Sequence, residues 1–437
     1  MKGDFTRVTF DAARHYSRVL MQQGRVQLDA DWNEQAAILL HYLQALAADL
    51  IGPFGGPADN FGFGLSVVSG NPADFAIGRG HYYVSGLLCE SDRDDLRFFN
   101  QPDYPLTVNR LPAKTYLAYL DVWERHLTAL DDAHMREVAL GGPDTATRAR
   151  LVWQLKVADK LPDGRSDIPA NITVAEVQKI WSDWVKAWRQ QADCQIRVRL
   201  DPEAAYTDPC TIPPGAGYRG QENQLYRVEI HGGGTLEDEP TFKWSRDNGS
   251  IAAAWVGNTD DGGLIVDPAR GFAAGQWIEI TAEADDLHTR PGQLVQIVRV
   301  ENGALYLASP QTWDENTPKK VRRWDQAETE DQQLQAGAVP ISEGTTDSDW
   351  INLEAGLQVQ FQPGGHYRTG DYWLIPARTD GTIEWPQKTD TNGELVAAEA
   401  APHGIWHEYA PVSIVSVAAD GKVTIGHDLR RKFAPIK

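Results

Sequence analysis

Two histidines spaced four residues apart are the first residues whose arrangement could do chemistry. His403 and His407 lie in the segment PHGIWHEY, and Glu408 follows the second of them. On a helix this spacing places two imidazoles on one face, as in zinc sites. Pro402 and Gly404 disfavour a helix there, and the spacing places no third ligand. A loop with packing or surface histidines therefore explains the segment better than a metal site.

Carboxylates next to tryptophans are a second pattern with chemical meaning. Trp123-Glu124 and Glu384-Trp385 are such pairs. In glycosidases one carboxyl group protonates the leaving oxygen, another acts as base or nucleophile, and indole rings stack on sugars. Among 61 acidic residues some pair of this kind is always present, and packing at strand ends is the simpler role for both pairs. A glycan-binding or glycan-cleaving module is therefore the alternative hypothesis.

Acidic doublets could bind calcium, but none of them follows the twelve-residue calcium-loop pattern, so solvated turns explain them. The doublets are Asp131-Asp132, Asp260-Asp261 and Asp285-Asp286. The chain has no GxSxG, HExxH or GxxxxGK[ST] motif, and no GxGxxG placed between a strand and a helix. The sequence thus predicts no catalytic residue, no metal site and no cofactor, and a protein that is not an enzyme.

The balance of charge limits the partners that the chain can bind. It has 437 residues, with 41 basic and 61 acidic side chains and a formal net charge of −20. A field of that sign repels phosphate backbones and anionic lipid headgroups, so we expect no nucleic acid and no membrane insertion. No run of about 18 apolar residues occurs, and the start MKGDFTRVTF lacks the apolar stretch of a secretion signal. The expected location is the cytoplasm, with Cys89, Cys194 and Cys210 as reduced thiols.

Helical periodicity is clear in two segments. The first runs from about Asp31 to Ile51, where apolar residues recur every three or four positions until the break at Gly52-Pro53. The second, near 173–191, begins at Thr173, which can cap it together with Glu176. The second segment carries an apolar stripe that favours a core or an interface and includes Trp181, Trp184 and Trp188.

Most of the remaining sequence has the composition of strands and turns. The chain contains 15 Trp and 39 Gly, and β-branched or aromatic runs such as TYLAYLDVWE, LYRVEIH and YWLIPA end at Gly, Pro or Asp. Asp420-Gly421 predicts a tight hairpin, and Asp247-Asn248-Gly249 predicts another, stabilised by an exposed ion pair among Lys243, Arg246 and Asp247. The predicted fold class is mainly β (α+β), with antiparallel sandwich-type and barrel-type units.

The predicted organisation has four parts. Residues 1–57 form an N-terminal arm and helix for attachment, and residues 58–257 form the main β-rich domain, with the helix near 173–191 inside it. Residues 258–325 form a small β-barrel-like insertion, because short alternating strands are joined there by tight turns. Residues 326–437 begin with an exposed acidic loop and continue as a C-terminal β segment that completes the main domain.

Several sequence blocks resemble known proteins. The segment HYSRVLMQQGRVQLDADWNEQ resembles the start of phage baseplate and tail-fibre attachment proteins, in which an extended arm turns at a glycine and leads into a helix. YLDVWERHLTAL, REVALGGPDTATRARLVWQLKV, TFKWSRDNGS, YRTGDYWLIPAR and PHGIWHEYAP are similar to a bacterial family of unassigned function encoded in gene clusters of phage-tail-like contractile injection systems. This resemblance covers the chain from its first residues to about Ala410.

The resemblance implies a structural or attachment component of an injection particle, at the baseplate or the tail fibre, that acts by protein–protein contacts. Its expected partners are other subunits of the particle and further copies of the chain, assembled in the cytoplasm into particles that can be released. The predicted partner-binding residues lie in the arm and at the start of the first helix: Tyr16, Met21, Gln27, Trp32, Asn33 and Gln35.

Overall fold

The computed structural model describes residues 1–68, 74–103, 106, 110–189, 193–201, 218–330 and 332–434. Within them lie three α-helices: α1 (Asp29–Ile51), α2 (Val174–Trp188) and α3 (Glu283–Leu287). Among the described residues, no helix is both long enough and apolar enough to cross a bilayer.

The described residues also form 25 strands, which confirm a mainly β protein; its sheets are antiparallel except where the first and last strands pair in parallel. In chain order they are β1 (Phe54–Pro57), β2 (Leu65–Val67), β3 (Phe75–Ile77), β4 (Gly80–Val84), β5 (Leu87–Ser91), β6 (Thr115–Leu127), β7 (Arg148–Ala158), β8 (Ile196–Leu200), β9 (Gln224–Gly232), β10 (Thr241–Ser245), β11 (Ala252–Asn258), β12 (Leu264–Asp267), β13 (Trp277–Ala282), β14 (Gln293–Glu301), β15 (Ala304–Leu307), β16 (Lys319–Trp324), β17 (Val339–Pro340), β18 (Ile351–Asn352), β19 (Leu357–Phe361), β20 (Tyr372–Ala377), β21 (Gln387–Thr389), β22 (Leu395–Ala397), β23 (His407–Val417), β24 (Val423–Asp428) and β25 (Lys432–Phe433).

Two four-stranded sheets share the first hydrophobic core and form what we call the first β unit. One sheet has the strand order β24-β23-β6-β7 and the other has the order β25-β1-β4-β5. Alternate side chains of the long strand β6, such as Leu120 and Val122, meet Tyr82 and Val84 of β4 in this core. The β23–β24 hairpin turns at Gly421, whose φ of 82° is the left-handed conformation that the Asp-Gly pair predicts.

A second β unit has its own core between the sheets β17-β10-β9-β20 and β18-β19-β8. Val228, Phe242, Val359 and Trp373 are buried there. The strands after residue 325 therefore contribute to both β units, β19 and β20 to the second and β23 and β24 to the first. The region predicted as one main domain contains two separate hydrophobic cores, because each pair of sheets encloses its own apolar side chains.

Strands β11 to β16 close into a six-stranded barrel with the order β11-β12-β15-β14-β13-β16. The strands span Ala252 to Trp324, whereas the sequence predicted a barrel-like unit at 258–325. Ile278, Ile297, Leu305 and Val321 are among the apolar side chains that fill its interior. Antiparallel pairing around the whole circle leaves the barrel without an open edge.

Helix α2 lies against the first β unit, as its apolar stripe predicts. The Oγ1 of Thr173 accepts a hydrogen bond from the backbone N–H of Glu176, and the carboxylate of Glu176 accepts one from the N–H of Thr173, so the predicted capping box is present. Val177 and Trp184 are buried among residues of β6 and β23, and Trp188 stacks on Tyr119 at 4.0 Å between ring centroids.

Two expectations about the region after β9 are wrong. The turn at Asn248 and Gly249 exists, with φ of 53° and 62°, but it carries the chain from β10 in the second β unit into β11 of the barrel and closes no hairpin. The ion pair expected there is not exposed, because Lys243 is only 2% exposed and its Nζ lies 2.5 Å from Glu279 of the barrel. The other two members have different partners: Arg246 pairs with Glu354, and Asp247 pairs with Arg323.

The acidic stretch after β16 is not an exposed loop throughout. Gln326 is buried and its side chain donates a hydrogen bond to the carbonyl of Gly337. Val339 is also buried, and β17 around it pairs with β10 at the edge of the second β unit. A few apolar side chains in a polar segment are therefore enough to fix it against a sheet edge.

The remaining sequence candidates for chemistry pack within the structure. His407 lies 2.6 Å from the carboxylate of Asp121, and His403 packs against the ring of Tyr372. Cys89 and Cys194 are free and buried, and Cys210 lies outside the described residues.

The capping box of α2 gives a first testable prediction. Replacing Thr173 with Ala removes the acceptor for the N–H of Glu176, which should cost about 1 kcal/mol of local stability. We expect amide hydrogens in the first turn of α2 to exchange roughly fivefold faster in T173A than in the wild type. Ser182→Ala, on the exposed side of the same helix, is the control and should leave these rates unchanged; equal rates in T173A would show that the cap does not stabilise the helix start.

Candidate docking surface and its anchor

Helix α1 buries very little of its surface against the rest of the protein. Of its 23 residues only Ala30 and Ile38 are buried. The helix nevertheless approaches the first β unit closely, because a Cβ added to Gly86 in the β4–β5 turn would lie 2.2 Å from the backbone oxygen of Gln44. It ends at Gly52, whose N–H donates to the carbonyl of Ala48. The helix is thus held along one side and exposed along the other.

The exposed side carries a continuous row of apolar residues that we call the α1 seam. Along it the spacing alternates between four and three residues, which is the heptad spacing of coiled-coil core positions. The five large members are 54–80% exposed. The seam consists of Trp32, Ala36, Leu39, Leu43, Leu46 and Leu50.

Further apolar side chains widen the seam and continue into residues 1–28, which we call the arm. Leu40 and Tyr42 flank the seam on α1, and both are about half exposed. Exposed apolar side chains of the arm are Val8, Tyr16, Leu20, Met21 and Val26. Many exposed apolar side chains on one helix and the segment bonded to it mark an interaction site more often than chance exposure.

The arm lies along the first half of α1 and is fixed to it by hydrogen bonds. The side chain of Thr6 donates to Asp29 at 2.5 Å, and the side chain of Thr9 donates to Glu34 at 2.7 Å. Farther along, the backbone N–H of Val19 donates to the side-chain oxygen of Gln35 at 2.9 Å. Arm and helix therefore present one combined surface.

The structure places the predicted partner-binding residues on this surface, in different roles. Trp32 is the first residue of the seam, and Asn33 beside it is exposed. Gln35 is half-buried because it holds the arm. Exposed positions in the arm are Tyr16, Met21 and Gln27. The sequence prediction missed Leu39, Leu43, Leu46 and Leu50 as surface residues, although their heptad spacing was the available signal.

The carboxylate–tryptophan pairs that suggested a glycan site take part in packing. Trp123 is buried and stacks on His407 at 5.2 Å between ring centroids. Trp385 donates its indole N–H to the carbonyl of Ala398, and Glu384 pairs with Arg378 at 2.8 Å. These contacts favour the structural role for both pairs.

The first residues of the arm are anchored in a buried ion network. Lys2 Nζ lies 2.9 Å from Glu229 on β9, and the side chain of Asn248 donates to the backbone carbonyl of Gly3 at 2.9 Å. Glu229 also pairs with Arg227 at 2.6 Å and with Lys243 at 3.3 Å. The network therefore joins the arm to the second β unit through Lys2, which is one quarter exposed, and through glutamate, arginine and lysine side chains that are only 3% exposed.

The same network reaches the barrel through Glu279 on β13. Lys243 Nζ lies 2.5 Å from Glu279 Oε1, and the indole N–H of Trp324 donates to Glu279 Oε2 at 3.0 Å. A sequence signal existed, because Arg227 and Glu229 alternate with apolar residues on β9 and so share one face of the strand. The sequence did not show that this face is covered by the barrel.

Burial and the neighbouring charges shift the pKa values of the side chains in the network. Burial alone would raise the pKa of Glu229, but its three cationic neighbours outweigh burial and hold that pKa well below its ordinary value. Burial would also raise the pKa of Glu279, but the charges of Lys243 and Lys2 and the hydrogen bond from Lys243 together lower it to about 2. Burial lowers the pKa of Lys2 to about 8, although Glu229 acts in the opposite direction. Both glutamates are therefore ionised at neutral pH.

Comparison with known proteins gives one family. The model of a family described as a family of unknown function (DUF6519) matches residues 1–169 and 178–423. No curated protein matches the chain.

The shifted pKa of Lys2 predicts how stability depends on pH. In the folded protein this pKa is about 8, below the ordinary value of 10.5, so between these pH values the unfolded chain binds a proton that the folded protein does not. Raising the pH through this window removes that proton from the unfolded chain and stabilises the fold by roughly 3 kcal/mol. Lys2→Met lacks the group, so the Tm of the wild type should rise relative to K2M as the pH increases from 8 to 10.5.

The matched control is Lys388→Met, which removes an exposed lysine of β21 that pairs with Glu399. The difference in Tm between wild type and K388M should stay constant over the same pH range. A constant difference for K2M as well would contradict the burial of the Lys2 ammonium. Thermal unfolding followed by circular dichroism measures all three proteins under identical buffers.

Proposed function

The chain belongs to the family of unknown function DUF6519, and we propose that it is a structural subunit that attaches to other protein subunits through α1 and the arm. The observation that carries this proposal is the α1 seam, a heptad row of large apolar side chains on the outside of the molecule. We further propose that the assembly is a contractile phage-tail-like injection particle, with the subunit at the baseplate or tail fibre; this part is supported by the sequence resemblance.

The hydrophobic effect supports a docking role for the seam. Full burial of a Leu side chain contributes about 1.5–3 kcal/mol. The four leucines of the seam, Leu39, Leu43, Leu46 and Leu50, are each more than half exposed, so a partner that covers them gains several times that amount. Trp32 at 80% exposure adds an aromatic anchor of the kind that dominates binding energy at protein interfaces.

The occupant that we propose for the seam is the same helix of further copies of this chain. Heptad rows pack knobs into holes, and an identical row supplies both halves of that geometry. The positions that flank the seam are almost free of charge, although the chain carries −20 overall; they are Asn33, Gln35, Leu40, Tyr42, Ala47 and Asp49. Identical helices can therefore lie side by side with little charge repulsion, because Asp49 is the only charged residue among these six flanking positions.

The length of the helix suits such an assembly. At about 1.5 Å per residue, the seam from Trp32 to Leu50 extends over roughly 27 Å. Since the backbone of Gln44 and the side chain of Ile51 lie against the first β unit, the body of each copy moves with α1 when helices associate. The exposed apolar residues of the arm, which lies beside the helix, are then available for the other subunits of the particle.

A pair of charged substitutions tests the seam. We expect Leu43→Glu combined with Leu46→Glu to convert an oligomer into a monomer, because four or more carboxylates would have to be buried at the helix contact. Light scattering coupled to size exclusion measures the mass of each protein. Ala45→Glu places the same charge on α1 away from the seam and should leave the oligomer intact. A wild-type protein that is monomeric at micromolar concentration would refute self-association.

Attachment is tested separately with purified contractile particles from the same cell. Wild-type protein added to particles that lack it should sediment with them, and the Leu43→Glu, Leu46→Glu variant should remain in the supernatant if assembly through the seam is required. The Ala45→Glu control should sediment like the wild type. If the wild type forms oligomers and yet never sediments with particles, the attachment role is wrong while the self-association of α1 stands.

A further inference from the structure

A cavity of about 410 Å³ opens beside the ion network that anchors the arm. Its walls include β5 and β6 of the first β unit, strands β9, β10 and β20 of the second, strands β13 and β16 of the barrel with helix α3, Gln44 of α1 and the first two residues of the arm. Small-molecule sites commonly lie where separate structural units meet, and here the two β units, the barrel and the arm meet.

The inner wall of the cavity carries more positive than negative charge. Four cationic side chains line it together with only two carboxylates, those of Glu229 and Glu279. The six side chains are at most one quarter exposed, and four of them are no more than 5% exposed. The cations are Lys2, Arg227, Lys243 and Arg322. Buried charges in proteins are normally matched, so an excess of two cations calls for a negative partner.

Arg322 shows the excess most directly. It is 9% exposed, and its guanidinium donates to the backbone carbonyl of Gly249. Among the described residues no carboxylate lies within ion-pair distance of Arg322. The guanidinium carries five N–H donors, so most of them remain available to a ligand in the cavity.

His126 supplies a second, independent sign of a missing partner. Its Nε2 atom is buried, and within the described ranges it has no hydrogen-bond partner. The ring lines the same cavity from β6. Burial lowers the pKa of His126 to about 3, and the charge of Arg322 acts in the same direction, so the ring is neutral at pH 7 and one of its nitrogens carries a proton that can be donated.

Acidic residues at the rim of the cavity do not neutralise the inner wall, because they are paired with rim cations. Asp131 lies 3.3 Å from Lys320, which also pairs with Asp286. Asp285 lies 3.0 Å from Arg290. Over the whole lining, seven Lys or Arg side chains stand against six Asp or Glu side chains, so a positive excess of one remains and it lies in the interior.

We propose that this cavity binds a small oxyanion, a phosphate or carboxylate group, between Arg322, Lys2 and His126. The planar fork of an arginine matches the two oxygens of such a group, and charge-assisted hydrogen bonds from arginine and lysine are stronger than neutral ones. The ligand compensates the excess positive charge of the inner wall and accepts a hydrogen bond from His126. This site is independent of the docking role proposed for α1.

The test is a titration of the full-length protein with inorganic phosphate and, separately, with citrate, at constant ionic strength set with NaCl. We expect one of the two to bind saturably in isothermal titration calorimetry and to raise the Tm with concentration. Which ion binds identifies the ligand group as phosphate or carboxylate. Absence of saturable binding by both ions would overturn the proposal.

Substitutions locate the site. Arg322→Gln should weaken binding of the responding ion at least tenfold, whereas Arg299→Gln, an exposed arginine on the same barrel that pairs with Asp261, should leave it unchanged. If R322Q does not fold, Lys2→Met at the start of the chain replaces it, with the same expected loss. Equal losses in R322Q and R299Q, or undiminished binding in K2M and R322Q, would show that the ion binds elsewhere. Light scattering should give the same mass with and without the ion, which separates this result from self-association through α1.

Discussion

The pairing of two buried glutamates with surrounding cations holds three parts of the molecule in one arrangement. Glu229 belongs to the second β unit, Glu279 to the barrel, and Lys2 to the arm. Lys243 contacts both glutamates and so connects the two β structures. Removal of one partner from a buried pair costs about 3–5 kcal/mol, because the remaining charge stays desolvated. The position of the arm, and through it the orientation of the surface along α1, follows from this network.

The apolar faces of the two long helices differ in burial: that of α2 is covered and that of α1 is exposed. Both carry apolar residues at helical spacing. The stripe of α2 is covered by β6 and β23, and Trp184 is completely enclosed. The seam of α1 faces away from the first β unit, which contacts the helix at Gln44 and at Ile51. The apolar surface of α2 therefore contributes to folding, and that of α1 remains available for association.

The docking surface and the cavity are neighbours along the chain. The arm passes from the ion network at Lys2 to hydrogen bonds with α1 at Thr6 and Thr9. Gln44 of α1 also lines the cavity. The pairing of Lys2 with Glu229 holds the start of the arm, and the arm then lies against the helix that carries the seam. The two features are therefore close in the structure, while the anion binding and the self-association that we propose for them are independent of each other.

Local chemistry in the sequence determined much of the fold. Thr173 with Glu176 marked the start of α2, Gly52 marked the end of α1, and Asp420-Gly421 marked a hairpin, because caps and positive φ depend on residues a few positions apart. The heptad spacing of α1 likewise lies in the sequence. The tertiary structure alone decided that this row faces outward and that Lys243, expected at an exposed turn, is buried against Glu279. Burial and ion pairing depend on segments that are distant in sequence and meet only when the sheets pack, so no local pattern can fix them.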